Sequence, residues 1–102
     1  MKNHTIVSLA TPFGYSSIAV IRLSGSLSFY IALKLSRSKK KPEHLLTKIL
    51  PVFSENGKKI DRCVFTFFKS PFSYTGEDVV EVSCHGNPTI TKMIINRSII
   101  LG

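Results

Sequence analysis

The chain has 102 residues, with 14 lysines and arginines against six aspartates and glutamates, which gives a formal net charge of +8. Its hydrophobic fraction of 43% and charged fraction of 20% are those of a globular domain and exclude a disordered chain. The positive charge favours an anionic partner, such as a nucleic acid, a phosphate-bearing ligand or an acidic protein surface, and it equally fits a basic surface that only keeps the domain soluble.

Cysteine usage and the N-terminus indicate a reducing compartment. Cys63 and Cys84 both lie inside apolar, strand-like runs, and two cysteines without a secretory signal do not make a disulfide framework. The first residues carry no apolar signal core, and no stretch approaches the roughly 20 apolar residues that a membrane-spanning helix needs. The sequence therefore predicts a cytoplasmic protein with no membrane partner.

The chain opens with two predicted strands. Thr5–Ala10 and Ile18–Leu23 are predicted as strands, and the loop of residues 11–17 between them is rich in turn formers. The period of two places Arg22 on one face of the second strand. The opposite face of that strand carries Ala19, Ile21 and Leu23.

A helix and a basic loop follow these strands. Ser24-Gly25-Ser26 offers an N-cap, and the helical spacing of apolar residues ends near Arg37. Lys39-Lys40-Lys41 is typical of a solvated loop tip, or alternatively adds to a surface that attracts phosphates, and Pro42 bars further helix. The stripe expected on the helix is Leu27, Tyr30, Ile31, Lys34 and Leu35, with the lysine at its edge.

The middle of the chain predicts a hairpin. Leu45–Phe53 and Ile60–Phe68 are predicted as strands on either side of Glu55-Asn56-Gly57, a strong turn signal because Asn-Gly readily supplies positive φ angles. Pro51 moves the first of these strands toward a sheet edge, since proline cannot donate to a ladder. The phenylalanines of the second strand favour a core role over a base-stacking platform; they are Phe65, Phe67 and Phe68.

A last strand and a second helix complete the prediction. Asp78–Cys84 reads as a strand, and Asn87 followed by Pro88 supplies the N-cap and first position of a helix. The order β-β-α-β-β-β-α predicts one α+β domain, a mixed sheet with helices packed on one face. The apolar run continues to Gly102 with little tail, which suggests the N-terminal piece of a longer protein. The expected stripe of this helix is Ile90, Met93, Ile94, Arg97 and Leu101.

Two charged residues are the candidate site residues. Arg22 and Glu81 each lie in the middle of an otherwise apolar or small-residue strand, where a charge is costly unless something pairs with it. They could form a cross-strand ion pair. They could instead recognise a ligand, since a carboxylate accepts two hydrogen bonds from a flat, nitrogen-rich ring and a guanidinium forks onto a carboxylate. The ligand hypothesis predicts that the two groups are held apart around a hollow.

Other reactive residues favour structural roles. Cys84-His85 is best interpreted as a buried thiol beside a turn histidine, because a zinc site needs four convergent ligands and the remaining candidates have no paired spacing. The sequence contains neither a Gly-x-Ser-x-Gly elbow nor a Gly-x-x-x-x-Gly-Lys-Ser/Thr loop, although a Ser-His-Asp arrangement stays open. The sequence therefore predicts no metal site and no nucleotide triphosphate site in this segment. The remaining metal-ligand candidates are His4, His44 and Cys63.

Two blocks of the sequence resemble one family. The first comprises Thr5-Ile6-Val7, Ala10-Thr11-Pro12-Phe13-Gly14 and Ile18-Ala19-Val20-Ile21-Arg22-Leu23-Ser24-Gly25, and it is similar to the opening of the tRNA-modification GTPases called MnmE or TrmE. The second, Ser73-Tyr74-Thr75-Gly76-Glu77-Asp78-Val79-Val80-Glu81-Val82-Ser83-Cys84-His85-Gly86, resembles the family's second N-terminal signature. The two blocks agree in order and separation. The resemblance covers essentially the whole chain, as the N-terminal domain of a protein several times longer.

The chain departs from the family pattern mainly in its first loop. Phe13 stands where the family usually has a second proline, and Tyr15-Ser16-Ser17 replaces a basic residue and two glycines. Asn87 stands where the family usually has a second glycine. These changes stiffen the loop and alter its charge, so they bear on ligand contacts more than on the fold.

The resemblance implies a folate-binding role for the two charged residues. Family members bind a tetrahydrofolate, 5-formyltetrahydrofolate in particular, in a domain similar to the folate domain of aminomethyltransferases, and they form homodimers through it. The folate-contacting arginine and glutamate of the family fall on Arg22 and Glu81, and a further contacting lysine lies beyond Gly102.

The resemblance also implies partners outside this segment. The folate supplies a one-carbon unit for modifying the wobble uridine of certain tRNAs, together with the FAD-dependent partner MnmG (GidA) and GTP hydrolysis. GTP, Mg²⁺ and K⁺ belong to a separate GTPase domain, and neither Cys63 nor Cys84 inherits the role of the family's C-terminal cysteine motif. A ligand-free dimerisation module and a basic tRNA-contacting domain are the alternative functions.

Overall fold

The fold is a five-stranded sheet with two helices on one face. The computed structural model describes residues 4–40, 42–73 and 75–102, so Lys41 of the basic loop and Tyr74 of the second signature lie outside the described residues. In chain order the elements are β1 (Ile6–Leu9), β2 (Ile18–Ser24), α1 (Ser28–Ser36), β3 (Leu46–Phe53), β4 (Lys59–Phe68), β5 (Val79–His85) and α2 (Pro88–Leu101).

The sheet order is β1-β2-β5-β4-β3, and all four pairings are antiparallel. The α+β class, the element order and the position of the helices are confirmed, and β3 lies at an edge as Pro51 predicts. The expectation of a mixed sheet is wrong in one respect, because no described pairing is parallel. The reason is that β5 inserts between β2 and β4, and periodicity within a strand does not show which neighbours it acquires.

One face of the sheet forms the core with both helices. Alternation in β2 and β5 sends Ile21 and Val82 toward the helices, and both side chains are fully buried. The same face of β4 contributes Phe65 and Phe67, so the core role predicted for these two rings is confirmed. The buried apolar residues that complete this cluster are Ala19, Leu23, Ile31, Ala32, Leu35, Val52, Cys63, Val80, Cys84 and Ile94.

Helix α1 begins later than the sequence predicts. Its N-cap is Leu27, which makes no side-chain capping bond, so the predicted cap at Ser24-Gly25-Ser26 is wrong. Instead, the Thr5 hydroxyl accepts a hydrogen bond from the Leu27 N–H at 2.9 Å, and the Ser28 hydroxyl donates to the Asp78 carbonyl at 2.9 Å. Groups distant in sequence therefore replace the local cap, which sequence inspection cannot detect.

Only part of each predicted apolar stripe faces the core, and small residues share that face of both helices. Tyr30 of α1 and Met93 of α2 are 48% and 42% exposed, so neither belongs to the buried stripe as predicted. Small side chains let the helices approach the sheet closely, and the hydroxyls of Ser36 and Ser98 donate to carbonyls one turn earlier. The small buried residues are Ser28, Ala32, Ser36, Thr91 and Ser98.

The predicted start of α2 and the predicted hairpin turn are confirmed. The Asn87 side chain accepts hydrogen bonds from the N–H groups of Thr89 and Ile90 at 2.8 and 3.4 Å, with Pro88 at the start of the helix. Gly57 supplies a positive φ of 86° between β3 and β4. Within the described part of the chain, no helix is long and apolar enough to cross a membrane.

Candidate ligand site on the open face of the sheet

The face of the sheet opposite the helices, here called the open face, carries the candidate site. No described helix packs on it, and its side chains are half-buried or exposed. It mixes aliphatic, hydroxyl and charged groups across the three central strands. They are Ile18, Val20 and Arg22 of β2, Glu81, Ser83 and His85 of β5, and Arg62, Val64, Thr66 and Phe68 of β4.

Arg22 and Glu81 meet at the centre of this face. They are direct partners in the β2–β5 register, and the guanidinium donates from Nη2 at 2.7 Å and from Nε at 3.1 Å, both to Oε2. The cross-strand ion pair is therefore present, and the prediction that the two groups are held apart is wrong. The reason is register: facing residues of adjacent antiparallel strands have Cα atoms only about 4.5–5.5 Å apart.

The pair remains accessible to a ligand. The side chains of Arg22 and Glu81 are 34% and 22% exposed, and an ion pair with this much solvent contact contributes about 0–1 kcal/mol. Neither of the two hydrogen bonds from Arg22 uses Oε1 of Glu81. A donor on a ligand can therefore reach the carboxylate at Oε1 while Arg22 holds its orientation.

An aromatic recess lies at the Phe68 end of β4. Thr66 faces Glu81 in the β4–β5 register, and Phe68 lies two residues further along the same face, a diagonal neighbour at about 7–8 Å. Phe68 is half-buried and lines the recess, so its predicted core role is only partly right. The recess has a volume of about 370 Å³ and is lined by His44, Leu45, Phe68, Pro71, Phe72 and Ser73.

The loop between β4 and β5 forms the wall of this recess. The Thr75 and Ser24 hydroxyls lie 2.9 Å apart, which ties the loop to the end of β2. The Ser70 N–H donates to the Asp78 carboxylate at 2.8 Å, and the His44 and Phe72 rings lie 5.6 Å apart between centroids. Ser73, the first residue of the second sequence signature, therefore belongs to the loop that lines the aromatic recess.

A second polar cluster, at the other end of β5, was not predicted. Asp61 is buried in β4, with its carboxylate 2.7 Å from His85 Nδ1 and accepting from the His85 N–H at 2.9 Å. Burial raises the pKa of Asp61, but hydrogen bonds from the His85 and Arg62 backbone and from the His85 ring outweigh it and lower the pKa below the usual 3.8. Its one sequence signal is an acidic residue at an inward-facing position of an alternating strand.

The cysteines have the structural role that the sequence predicts. Both are buried and free. Burial, reinforced by the charge of Asp61, raises the pKa of Cys84 to about 11 and raises that of Cys63 further, so both thiols are protonated at neutral pH. Among residues 4–40, 42–73 and 75–102, no group of three or more histidine, cysteine or acidic side chains could hold a metal ion.

The chain is thus an α+β domain whose sheet has one face packed against two helices and one face that no described helix covers. A family described as "GTP-binding protein TrmE N-terminus" matches it over residues 5–101. The proteins named tRNA modification GTPase MnmE from Francisella tularensis subsp. tularensis, Aliarcobacter butzleri and Wolinella succinogenes are 44%, 41% and 40% identical to it. The chain belongs to the TrmE N-terminal family.

The similarity covers nearly all of this chain and a minor part of its relatives. The three alignments span 94–96% of the chain and 21% of each relative. The chain therefore spans about a fifth of the length of the curated relatives it matches. The two sequence blocks that suggest the family lie within the matched residues.

Proposed function

We propose that this chain is the folate-binding N-terminal domain of a tRNA-modifying GTPase, and that 5-formyltetrahydrofolate or a related tetrahydrofolate binds on the open face. Its relatives of similar sequence are named tRNA modification GTPases. The single observation that carries the proposal is the placement of Glu81. Its carboxylate is oriented by Arg22 on an accessible face, and its diagonal neighbour Phe68 lines an aromatic recess of about 370 Å³, which is within the usual size range of small-molecule sites.

The pterin ring enters the aromatic recess in this proposal. A pterin is flat and presents several N–H donors along one edge, which suits the side of a carboxylate that Arg22 does not use. Phe68 and Phe72 supply apolar surface on which the ring packs. Arg22 keeps Glu81 in place through two hydrogen bonds, and it also lies where a carbonyl or carboxylate oxygen of the ligand can approach.

The residues that line the aromatic recess suit a pterin better than those of a second recess, which is lined in part by the loop between β4 and β5. That second recess, about 320 Å³ in volume, is lined by Ser26, Ser70, Gly76, Glu77 and Asp78. It includes two acidic residues and no aromatic ring, so it offers a flat ring no stacking surface and repels the carboxylates of a folate. The aromatic recess, by contrast, is lined by Phe68 and Phe72 and by no acidic residue.

The larger functional setting is part of the same proposal. We propose that the domain also mediates homodimerisation, and that the parent protein acts on the wobble uridine of tRNA with MnmG (GidA) in the cytoplasm. GTP hydrolysis, with Mg²⁺ and K⁺, belongs to a separate domain of that protein. The support is membership of the TrmE N-terminal family and the names of the relatives. The net charge of +8 is consistent with a tRNA partner.

Isothermal titration of the chain with 5-formyltetrahydrofolate tests the role of Glu81. Glu81→Gln keeps an oxygen for Arg22 but removes the charge that ligand donors need, so it should weaken binding about 10- to 100-fold, as expected for hydrogen bonds to a charged group. Glu55→Gln is the matched control, because Glu55 is exposed in the β3–β4 turn. Equal affinities for all three proteins would remove Glu81 from the site.

The same ligand separates the proposal from the two alternative functions. A ligand bound only by the folded state must raise the melting temperature. A chain that dimerises but whose melting temperature does not respond to folate would be a ligand-free dimerisation module. A chain that ignores folate but binds tRNA, with an affinity that falls steeply as salt is added, would be an RNA-contacting domain.

A further inference from the structure

We propose that another recess on the open face, at the end of the sheet where Arg62 and His85 lie, binds the carboxylates of the folate's glutamyl tail. We call it the Arg62–His85 recess. This inference rests on the proposed function, and it assigns the polar end of the ligand where that proposal assigns the pterin. The recess has a volume of about 200 Å³ and is lined by Ser17, Ile18, Arg62, Val64, Ser83, Cys84 and His85.

The lining of this recess has the chemistry of a carboxylate site. Arg62 is exposed on the open face, and the two ion pairs among the described residues are Arg22–Glu81 and His85–Asp61. The guanidinium of Arg62 therefore remains for a ligand, and a guanidinium binds a carboxylate through two parallel hydrogen bonds. Ser17 and Ser83 line the same recess, and their hydroxyls add donors.

The Asp61–His85 pair fixes the shape of the recess. Asp61 accepts from the His85 main-chain N–H and contacts Nδ1 of the ring, while the ring itself is 72% exposed. The imidazole is therefore held at the rim by a buried carboxylate, with its Nε2 edge turned toward solvent. Asp61 is buried and the adjacent Arg62 is exposed, so the two side chains lie on opposite faces of β4.

The first loop closes the recess from the other side. The Ser16 N–H donates to the Gly86 carbonyl at 2.9 Å, and a Cβ on Gly86 would lie 2.1 Å from the Ser16 carbonyl oxygen. Only glycine permits this close approach, which brings Ser17 next to the end of β5. The loop in which this chain departs from the family pattern, Tyr15-Ser16-Ser17, therefore supplies a wall of the proposed tail site.

The separation of the two recesses matches an extended ligand. Phe68 of the aromatic recess and Arg62 of the other recess lie on the same side of β4, six residues apart, which corresponds to about 20 Å along a strand. Glu81 and His85 lie between and beside them on the same side of β5, four residues apart. Between them the open face presents Ser83, Val20 and Val64, a small, partly apolar surface suited to a benzoyl ring. A folate with its pterin at Glu81 and its glutamate at Arg62 lies along β5.

Titration with two ligands that differ only in the tail tests this assignment. The wild-type chain should bind 5-formyltetrahydrofolate about tenfold more tightly than 5-formyltetrahydropteroate, which lacks the glutamate. Arg62→Gln should lower the affinity for the full ligand to that of the pteroate and leave the pteroate's affinity unchanged, and Arg62→Lys should fall between. Lys39→Gln, which removes a positive charge from an exposed loop, is the control and should change neither affinity.

Each contrary outcome has a distinct meaning. If wild type binds both ligands equally, or if Arg62→Gln weakens both equally, the tail assignment is wrong while the proposed function stands. If wild type binds neither ligand, the proposed function and the tail assignment both fail. If inorganic phosphate alone displaces the tail, with an affinity that depends on Arg62, the recess is a phosphate site and the glutamate assignment is overturned.

Discussion

Glu81 and Asp61 are carboxylates with basic partners on neighbouring strands, but their surroundings give them different roles. Glu81 is partly exposed and contacts Arg22 with one oxygen. Because such an ion pair contributes little stability, a ligand can rearrange it at a small cost in free energy. Asp61 is 7% exposed at its side chain and uses both oxygens on His85. The first therefore suits recognition of a ligand, and the second suits fixing the end of β5.

Asp61 should stabilise the fold in a pH-dependent way. Its pKa is lowered in the folded state, so its contribution is fully present above the ordinary value of 3.8 and is lost as the pH falls through the lower folded value. At neutral pH, Asp61→Asn should be less stable than wild type by about 1–3 kcal/mol. Urea denaturation at neutral pH and well below pH 3.8 measures the difference, which should shrink in acid.

Glu55→Gln provides the control for this measurement, since Glu55 is an exposed turn residue and its loss should leave stability nearly unchanged at both pH values. A difference between Asp61→Asn and wild type that persists or grows in acid would contradict the role given to the Asp61 carboxylate.

Residue-level prediction succeeded where the signal was local. Arg22 and Glu81 could be selected because a charge amid apolar neighbours is visible in the sequence, but their direct contact depends on the β2–β5 register. Asp61 could not be paired with His85 from sequence, since the contact joins two strand ends 24 residues apart. The two charged residues of the candidate site could therefore be selected from the sequence, with their ion pair as one of two alternatives, whereas the Asp61–His85 pair could not be predicted.

The two helices show the same division at the scale of secondary structure. The start of α2 is determined by local sequence, because Asn87 supplies the N-cap and Pro88 the first helical position. The start of α1 depends on Thr5, 22 residues earlier in the chain, and on the Asp78 carbonyl, 50 residues later than Ser28. A helix boundary that depends on tertiary contacts cannot be predicted from local sequence propensity.

Loss of the α2 cap should destabilise the domain. Asn87→Ala removes the acceptor for the Thr89 and Ile90 N–H groups, which should cost about 1 kcal/mol in the free energy of unfolding. Asn96→Ala is the matched control, because Asn96 is exposed in the middle of α2 and alanine has the higher helix propensity there. Equal stabilities of the two variants in urea would show that Asn87 does not cap the helix.

In the whole molecule, the proposed ligand site and the hydrophobic core lie on opposite faces of one sheet. The core face is sealed by α1 and α2, while the open face presents the aromatic recess, the Arg22–Glu81 pair and the Arg62–His85 recess. The element order and the α+β class followed from the sequence. The antiparallel order of strands did not, because the insertion of β5 between β2 and β4 is a property of the entire chain.

Amide chemical shifts during a titration with 5-formyltetrahydrofolate test the central claim most directly. The open-face proposal predicts saturable changes concentrated at Arg22, Glu81 and Phe68 on the three central strands. Exposed residues of α2 such as Lys92 and Asn96, on the other side of the sheet, should not move. Changes confined to the two helices, or no change at a saturating concentration of the folate, would contradict the account.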